Sequence, residues 1–200
     1  MLQPGERTNG SAPIPRSDAP EVTPAADSPA EVTRAPLVVV MGVAGSGKTS
    51  VGEALARRLG VDYADADWFH GKANVAKMSA GQPLEDRDRS AWLQAVGRWL
   101  SERDRAGGVV SCSALRRGYR DILRAAAPRV TFLHLDGDPH LVAERVAERT
   151  GHFMPASLVT SQLETLEPLE ADESGVRLDF NATVDDIVAD FTSTLTPGSR

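Results

Sequence analysis

Apolar residues in this chain fall into short unbroken runs, and the stretches between those runs carry a helical period. Leu37-Val38-Val39-Val40-Met41 is a continuous apolar run rich in β-branched residues, which predicts a strand buried on both faces. Val51, Leu55 and Leu59 then recur every fourth position, as on one face of a helix. The alternation continues: residues 61–64, 109–112, 130–135 and 176–180 read as further strands. Between them, Trp92, Val96, Trp99 and Leu100 mark an amphipathic helix over about 88–105, with the tryptophans facing the core. Further helices are expected around 74–78, 117–126, 138–149 and 155–167, with a closing one after Thr183. Asp138-Pro139 has the form of an N-cap followed by proline at the first helical position, and Thr183-x-x-Asp186 resembles a capping box. Strands alternating with helices require an α/β fold, a parallel sheet covered on both faces. Residues 1–34 break the pattern. Six prolines mixed with Ala, Ser, Glu and Asp leave no apolar period, so this segment is expected to be a disordered tail. The folded domain is then 35–195, with 196–200 a short C-terminal tail.

The first strand and helix flank Gly42-Val43-Ala44-Gly45-Ser46-Gly47-Lys48-Thr49, which fits the phosphate-loop pattern G-x-x-x-x-G-K-[ST]. Peptide N–H groups must curl around a phosphate, and the glycines permit the positive φ and close approach this needs. The helix that follows adds its free N–H groups and dipole. Lys48 is placed to reach the β- and γ-phosphate oxygens, and the Thr49 hydroxyl to ligate Mg²⁺. The loop, together with Ser50, is the predicted nucleotide site.

Ligands of open α/β sheets gather at the carboxyl ends of the strands, where Asp65 and Asp67 follow the second strand. At i, i+2 in extended chain they point to one side, so one is a candidate for the Mg²⁺ shell and the other for accepting a proton from an attacking hydroxyl. Asp136 also ends an apolar run, but Gly137-Asp138-Pro139 after it reads as a turn and helix cap. The strand at 109–112 ends in Ser111-Cys112-Ser113 without a carboxylate, unlike simple P-loop ATPases and GTPases, and this favours a small-molecule kinase. Arg117, Arg120 and Arg124 share one helical face. Arg145 and Arg149 precede Gly151-His152-Phe153, as expected of a segment that carries arginines over a nucleotide and excludes water.

The totals narrow the classes. With 200 residues there is room for one substantial core, and the net charge of −6 argues against nucleic acid bound by bulk electrostatics. A single cysteine, Cys112, excludes an intrachain disulfide and a cysteine metal cage. No apolar run is long enough to cross a membrane, and the N-terminus lacks a signal-peptide core, which points to a cytoplasmic protein.

Several blocks in order resemble the gluconokinase family of small P-loop kinases. They are Asp65-Ala66-Asp67-x-x-His70, Asn74-x-x-Lys77-Met78, Gly81-x-Pro83-Leu84, Asp88-Arg89-x-x-Trp92-Leu93 and Cys112-Ser113-Ala114-Leu115-Arg116-Arg117-x-Tyr119-Arg120. Gly151-His152-Phe153 and Ser161-Gln162-x-Glu164-Thr165-Leu166-Glu167 complete the set. The resemblance covers about residues 37–195 and implies ATP-dependent, Mg²⁺-requiring phosphorylation of D-gluconate at its 6-hydroxyl. It implies a five-stranded parallel sheet ordered 2-3-1-4-5 with a lid, and often a homodimer. By the same resemblance Asp67 would act on the acceptor hydroxyl and Asp65 in the Mg²⁺ shell. His70, Arg89 and Arg120 would line the acid-sugar site, and Arg145 and Arg149 would serve nucleotide and lid. Two rivals remain at this stage. Shikimate kinase shares the loop and the Asp-x-Asp, but usually has Gly-Gly-Gly where Cys112-Ser113-Ala114-Leu115 stands here. A nucleotide-dependent binding module would need a strand-end metal carboxylate and a water-orienting group, and neither is convincingly placed.

Overall fold

A computed structural model describes residues 34–80, 82, 84–142 and 156–195. The chain divides into two units, Met1–Val32 and Thr33–Arg200. The expected tails over 1–34 and 196–200 lie outside the described residues, except for Arg34, whose guanidinium pairs with Asp104 at 3.1 Å.

In chain order the second unit contains β1 (Leu37–Met41), α1 (Lys48–Leu59), β2 (Asp62–Asp65) and a 3₁₀ turn (Ala66–Phe69). There follow α2 (Lys72–Ser79), α3 (Asp86–Glu102), β3 (Gly108–Ser111), α4 (Arg117–Ala126) and β4 (Thr131–Asp136). Then come α5 (Ala156–Thr165), β5 (Gly175–Asp179) and α6 (Val184–Leu195). All five strands are parallel, in the order β2-β3-β1-β4-β5. This is the order the family resemblance implied. The helix expected from Asp138 has its first residues in place, with Asp138 Oδ1 accepting from the His140 N–H at 2.9 Å. Its continuation lies outside the described residues.

Central β1 is buried along its whole length because it is covered on both sides. Val38 and Val40 pack with Val51 and Leu55 of α1 and with Ile187 and Phe191 of α6. Leu37, Val39 and Met41 face the other way, onto Trp92, Leu93, Val96 and Leu100 of α3 and Leu123 of α4. Each such side chain contributes about 1.5–3 kcal/mol of apolar transfer. On this second face α3 and α4 approach closely, since a methyl at Gly97 would stand 2.8 Å from Ala126 Cβ. By contrast, α2 is almost bare. Among its residues only Asn74 is buried, and Val75 and Met78 are exposed. Polar contacts attach it to α3: Asn74 Nδ2 donates to Asp88 O at 3.2 Å, and Lys77 Nζ donates to Asp88 Oδ2 at 2.6 Å.

Among the described residues one ion pair has both side chains wholly buried. Arg120 on α4 is 0% exposed, and its Nε donates to Glu173 Oε1 at 2.6 Å while Nη2 donates to Oε2 at 2.8 Å. Its remaining N–H groups go to carbonyls: Nη1 to Ala114, Leu115 and Glu167 at 3.3, 3.4 and 3.0 Å, and Nη2 to Pro168 at 3.1 Å. Arg117 and Arg124, on the same helical face, meet Asp172 and Asp121. The basic face of α4 is therefore turned onto the acidic segment 170–173.

Two outcomes follow. Removing one partner of a buried pair leaves an uncompensated charge, so Arg120→Met lowers unfolding free energy by about 3–5 kcal/mol in urea titrations. The double variant Arg120→Met/Glu173→Met is less destabilised than the sum of the two single variants. The second outcome concerns His134, 2% exposed on β4, with no hydrogen-bond partner for either ring nitrogen among the described residues. Burial depresses its pKa from 6.5, with Arg177 and Arg120 adding to the effect against the pull of Asp136. Below pH ~6.5 the unfolded chain takes up a proton that the folded chain resists, so stability falls as pH drops from there towards the depressed value. His134→Leu flattens that slope in melting curves recorded across the window.

Candidate active site

The site is assembled at the carboxyl ends of β1, β2 and β3. Gly42 leaves β1 at φ 142°, and a Cβ there would meet Leu135 O at 2.6 Å, so no other residue fits the first turn of the loop. The loop closes at Gly47, left-handed at φ 89°, from which α1 begins at Lys48. Lys48 Nζ donates to Val43 O at 2.8 Å, which folds the ammonium over the loop. Gly45 also has positive φ, Ser46 is buried, and Ser50 is exposed in the first turn of α1. Ala44 N–H donates to the side-chain oxygen of Gln162 on α5 at 2.7 Å.

Asp65 is the last residue of β2 and Asp67 lies in the 3₁₀ turn, so the extended i, i+2 arrangement expected from the sequence is not what forms. Instead Asp65 Oδ1 accepts from the Asp67 N–H at 3.0 Å and caps the turn. Its other oxygen, Oδ2, accepts from the Thr49 hydroxyl at 3.4 Å. Two hard oxygens thus meet at the head of α1, a donor set that suits Mg²⁺, which binds through few protein ligands and takes the rest from phosphate and water.

Asp67 and His70 face each other across that turn, with His70 Nε2 3.8 Å from Asp67 Oδ1. Desolvation at the mouth of the crevice pushes the Asp67 carboxyl above its usual range; the charge of Asp65 adds to this, against His70 and Lys48. The side chain is still 85% open to water, so solvent screening keeps that displacement moderate. His70 is held below its ordinary value, first by burial, against the pull of Asp67, and its imidazole is neutral at neutral pH. Its ring stacks on Trp92, centroids 4.7 Å apart at 12°. Trp92 Nε1–H in turn donates to Ala66 O at 2.6 Å, which fixes the turn that carries Asp67. The sequence read Trp92 as core. It is core, and it also organises the acid.

Trp92 also borders a cavity of about 200 Å³ whose lining includes Arg89, Arg116, Tyr119, Ser161 and Gln162. A wider depression of about 340 Å³ between α1 and α6, lined by Arg57, Arg58 and Asp185, holds neither Trp92 nor Gln162, the residues that join the smaller cavity to the Asp67 turn and to the loop, and is no candidate for the reaction. Arg89, which the family pattern assigns to the acid-sugar site, lines this cavity. Arg120 is not. The expectation that it lines the acid-sugar site is corrected here, because all its donors are committed to Glu173 and four carbonyls. Arg116, four positions earlier at the N-cap of α4, stands in the cavity wall instead. Asp136 ends β4 and is bonded to Arg177, so it is a strand-end residue and not part of a turn. Arg145, Arg149 and Gly151-His152-Phe153 lie outside the described residues, as does the lid expected there.

A family model described as shikimate kinase matches residues 44–191. A gluconokinase of Gluconobacter oxydans is 49% identical over 143 residues, 70% of this chain and 80% of that protein. The thermosensitive gluconokinase of Escherichia coli is 44% identical over 146 residues, 72% of this chain and 78% of that protein. The crystal structure of a gluconokinase from Sinorhizobium meliloti superposes with a TM-score of 0.71 at 44% identity, covering 80% of this chain and 95% of that one. A phosphate loop, an Asp-x-Asp beside it, a cavity walled by arginines and this degree of identity place the chain in the gluconokinase family of shikimate-kinase-like P-loop kinases.

Proposed function

We propose that this chain is a gluconokinase that transfers the γ-phosphoryl group of ATP to the 6-hydroxyl of D-gluconate, forming 6-phospho-D-gluconate and ADP. The observation that carries the reading is spatial. Trp92 stacks on His70 beside Asp67, and it also borders a cavity carrying Arg89 and Arg116. Through Trp92 and Gln162, the turn that carries Asp67 and the phosphate loop both adjoin the cavity that holds the two arginines, which supports a shared site. The gluconokinase relatives favour gluconate over shikimate as the acid bound there.

Phosphoryl transfer depends mostly on positioning and charge neutralisation. The loop N–H groups and Lys48 hold the triphosphate, while Asp67 accepts the proton of the sugar hydroxyl as its oxygen bonds to phosphorus and ADP departs. Thr49 and Asp65 are the residues that would hold Mg²⁺, which supplies neutralisation of the β- and γ-phosphate charge. His70 stays neutral and, stacked on Trp92, steadies the turn that carries Asp67. Arg89 and Arg116 address the carboxylate at the far end of the sugar chain, where a guanidinium fork matches a carboxylate with paired hydrogen bonds and an ammonium does not.

Wild-type enzyme releases ADP when gluconate is added and not with shikimate. A general base of this kind is worth ~10²–10⁴-fold, so Asp67→Asn lowers kcat by that factor with ATP affinity nearly unaltered. Because Asp67 titrates above the ordinary aspartate value of 3.8, the acid limb of wild-type kcat/KM lies above that value, and Asp67→Asn removes it. Unchanged kcat in that variant would remove Asp67 from the reaction. A hydrogen bond to a charged group is worth about 1.5–3 kcal/mol, so Arg89→Lys and Arg116→Lys each raise the gluconate KM ~10-fold or more and leave the ATP KM in place. Gluconate KM values indifferent to both would exclude this carboxylate site.

A further inference from the structure

The contact between Ala44 and Gln162 belongs to neither the phosphate loop's own fold nor the core. It joins residues 118 positions apart at 2.7 Å. A backbone N–H can only donate, so the atom facing it is the carboxamide oxygen, and the NH₂ end of Gln162 points elsewhere. Gln162 is half-buried on α5 and borders the cavity that carries Arg89 and Arg116. It is therefore shared between the loop and the acceptor cavity. A transferred phosphoryl group must pass between those two places, so the N–H that Gln162 holds is on the acceptor side of the loop.

The helix that bears Gln162 is also tied to the cavity's opposite wall. Just beyond its end, the Glu167 N–H donates to Leu115 O at 2.8 Å, and Glu167 Oε2 accepts from the Arg117 N–H at the start of α4. Leu115 and Arg116 line the same cavity. A displacement of Gln162 therefore reaches the side chains around the acceptor through a short, hydrogen-bonded path.

We propose that Gln162 is a positioning residue that distinguishes ATP from ADP and reports the difference to the acceptor cavity. A γ-phosphate oxygen is a stronger acceptor than an amide oxygen and takes the Ala44 N–H. The carboxamide, having lost its donor, turns about its last torsion and offers its NH₂ group to the phosphate. ADP has no third phosphate, so with ADP the Ala44 N–H stays on Gln162 and the helix keeps its place. The inference rests on the kinase reading above for the direction of transfer.

Calorimetric titration of nucleotide alone separates the two claims, using ADP and an ATP analogue with an imido β–γ bridge. Gln162→Met keeps the side-chain length and removes the hydrogen bonds; it weakens the analogue ~10-fold, one hydrogen bond to a charged group, and leaves ADP binding unchanged or tighter. Gln162→Glu sets a carboxylate against the phosphate and weakens the analogue further. In turnover, Gln162→Met lowers kcat ~10-fold; the analogue tightens gluconate binding to wild type more than ADP does, and the variant loses that difference. Equal weakening of both nucleotides with a fall in Tm, or no change in their affinity ratio, would overturn the proposal. If wild type discriminates the nucleotides as expected yet releases no ADP with gluconate, the proposed function fails and the role of Gln162 stands.

Discussion

Arg120 gathers onto one buried charge the carbonyls of two segments that lie far apart in the chain. The turn after β3, from Ala114 to Leu115, and the segment after α5, from Glu167 to Pro168, both end their carbonyls on one guanidinium, which Glu173 neutralises. Taking an arginine wholly out of water is costly, and it is tolerated only when every N–H finds an acceptor and the charge finds a partner. Those conditions are met here at once, so the two segments have a single way to sit. Ala114 is held at φ 44°, a left-handed conformation unfavourable for a residue with a Cβ, and the surrounding contacts hold it there. Leu115 and Arg116, which follow directly, form one wall of the cavity beside Trp92. The shape of that wall depends on a residue that never touches it from the solvent side.

The opposite wall is built on different physics. Asp67 and His70 are carried by a 3₁₀ turn whose position is set by the Trp92 indole, through its hydrogen bond to Ala66 and its stack on His70. Behind it, α2 has little apolar contact and is attached by Asn74 and Lys77 to Asp88. Segments with few buried apolar contacts open at low free-energy cost. The crevice thus has one wall fixed by a buried charge cluster and another, on the α2 side, secured by polar contacts near the surface.

Legibility in the sequence followed the distance over which each feature is determined. The loop, β1 and α1 were readable because glycine spacing, a β-branched run and helical period all lie within two dozen residues. The acids at the end of β2 were readable for the same reason, although the 3₁₀ turn that separates them was not, since it depends on an indole from α3. Arg117, Arg120 and Arg124 could be placed on one helical face, but periodicity does not say which of three equivalent arginines is buried. That choice is made by Glu173, far along the chain, and the family pattern that implies a substrate role for Arg120 does not register it. Gln162 stood in a quoted block without a role for the same reason: its partner is a backbone amide, which leaves no mark in the side-chain pattern.

The strand order has a consequence for how the chain is made. Central β1 carries the phosphate loop, yet both strands it pairs with, β3 and β4, follow it in the chain by about 70 residues or more. Val39 is flanked by Val110 on one side and Phe132 on the other. Until those residues have been synthesised, an unbroken apolar segment and its glycine-rich turn have no sheet to join. Closing such long loops is entropically slow, and unpaired apolar strands are prone to aggregate. The nucleotide site is therefore encoded well before the strands that complete its sheet, and the nascent chain must shield β1 from other chains until β3 and β4 have been made.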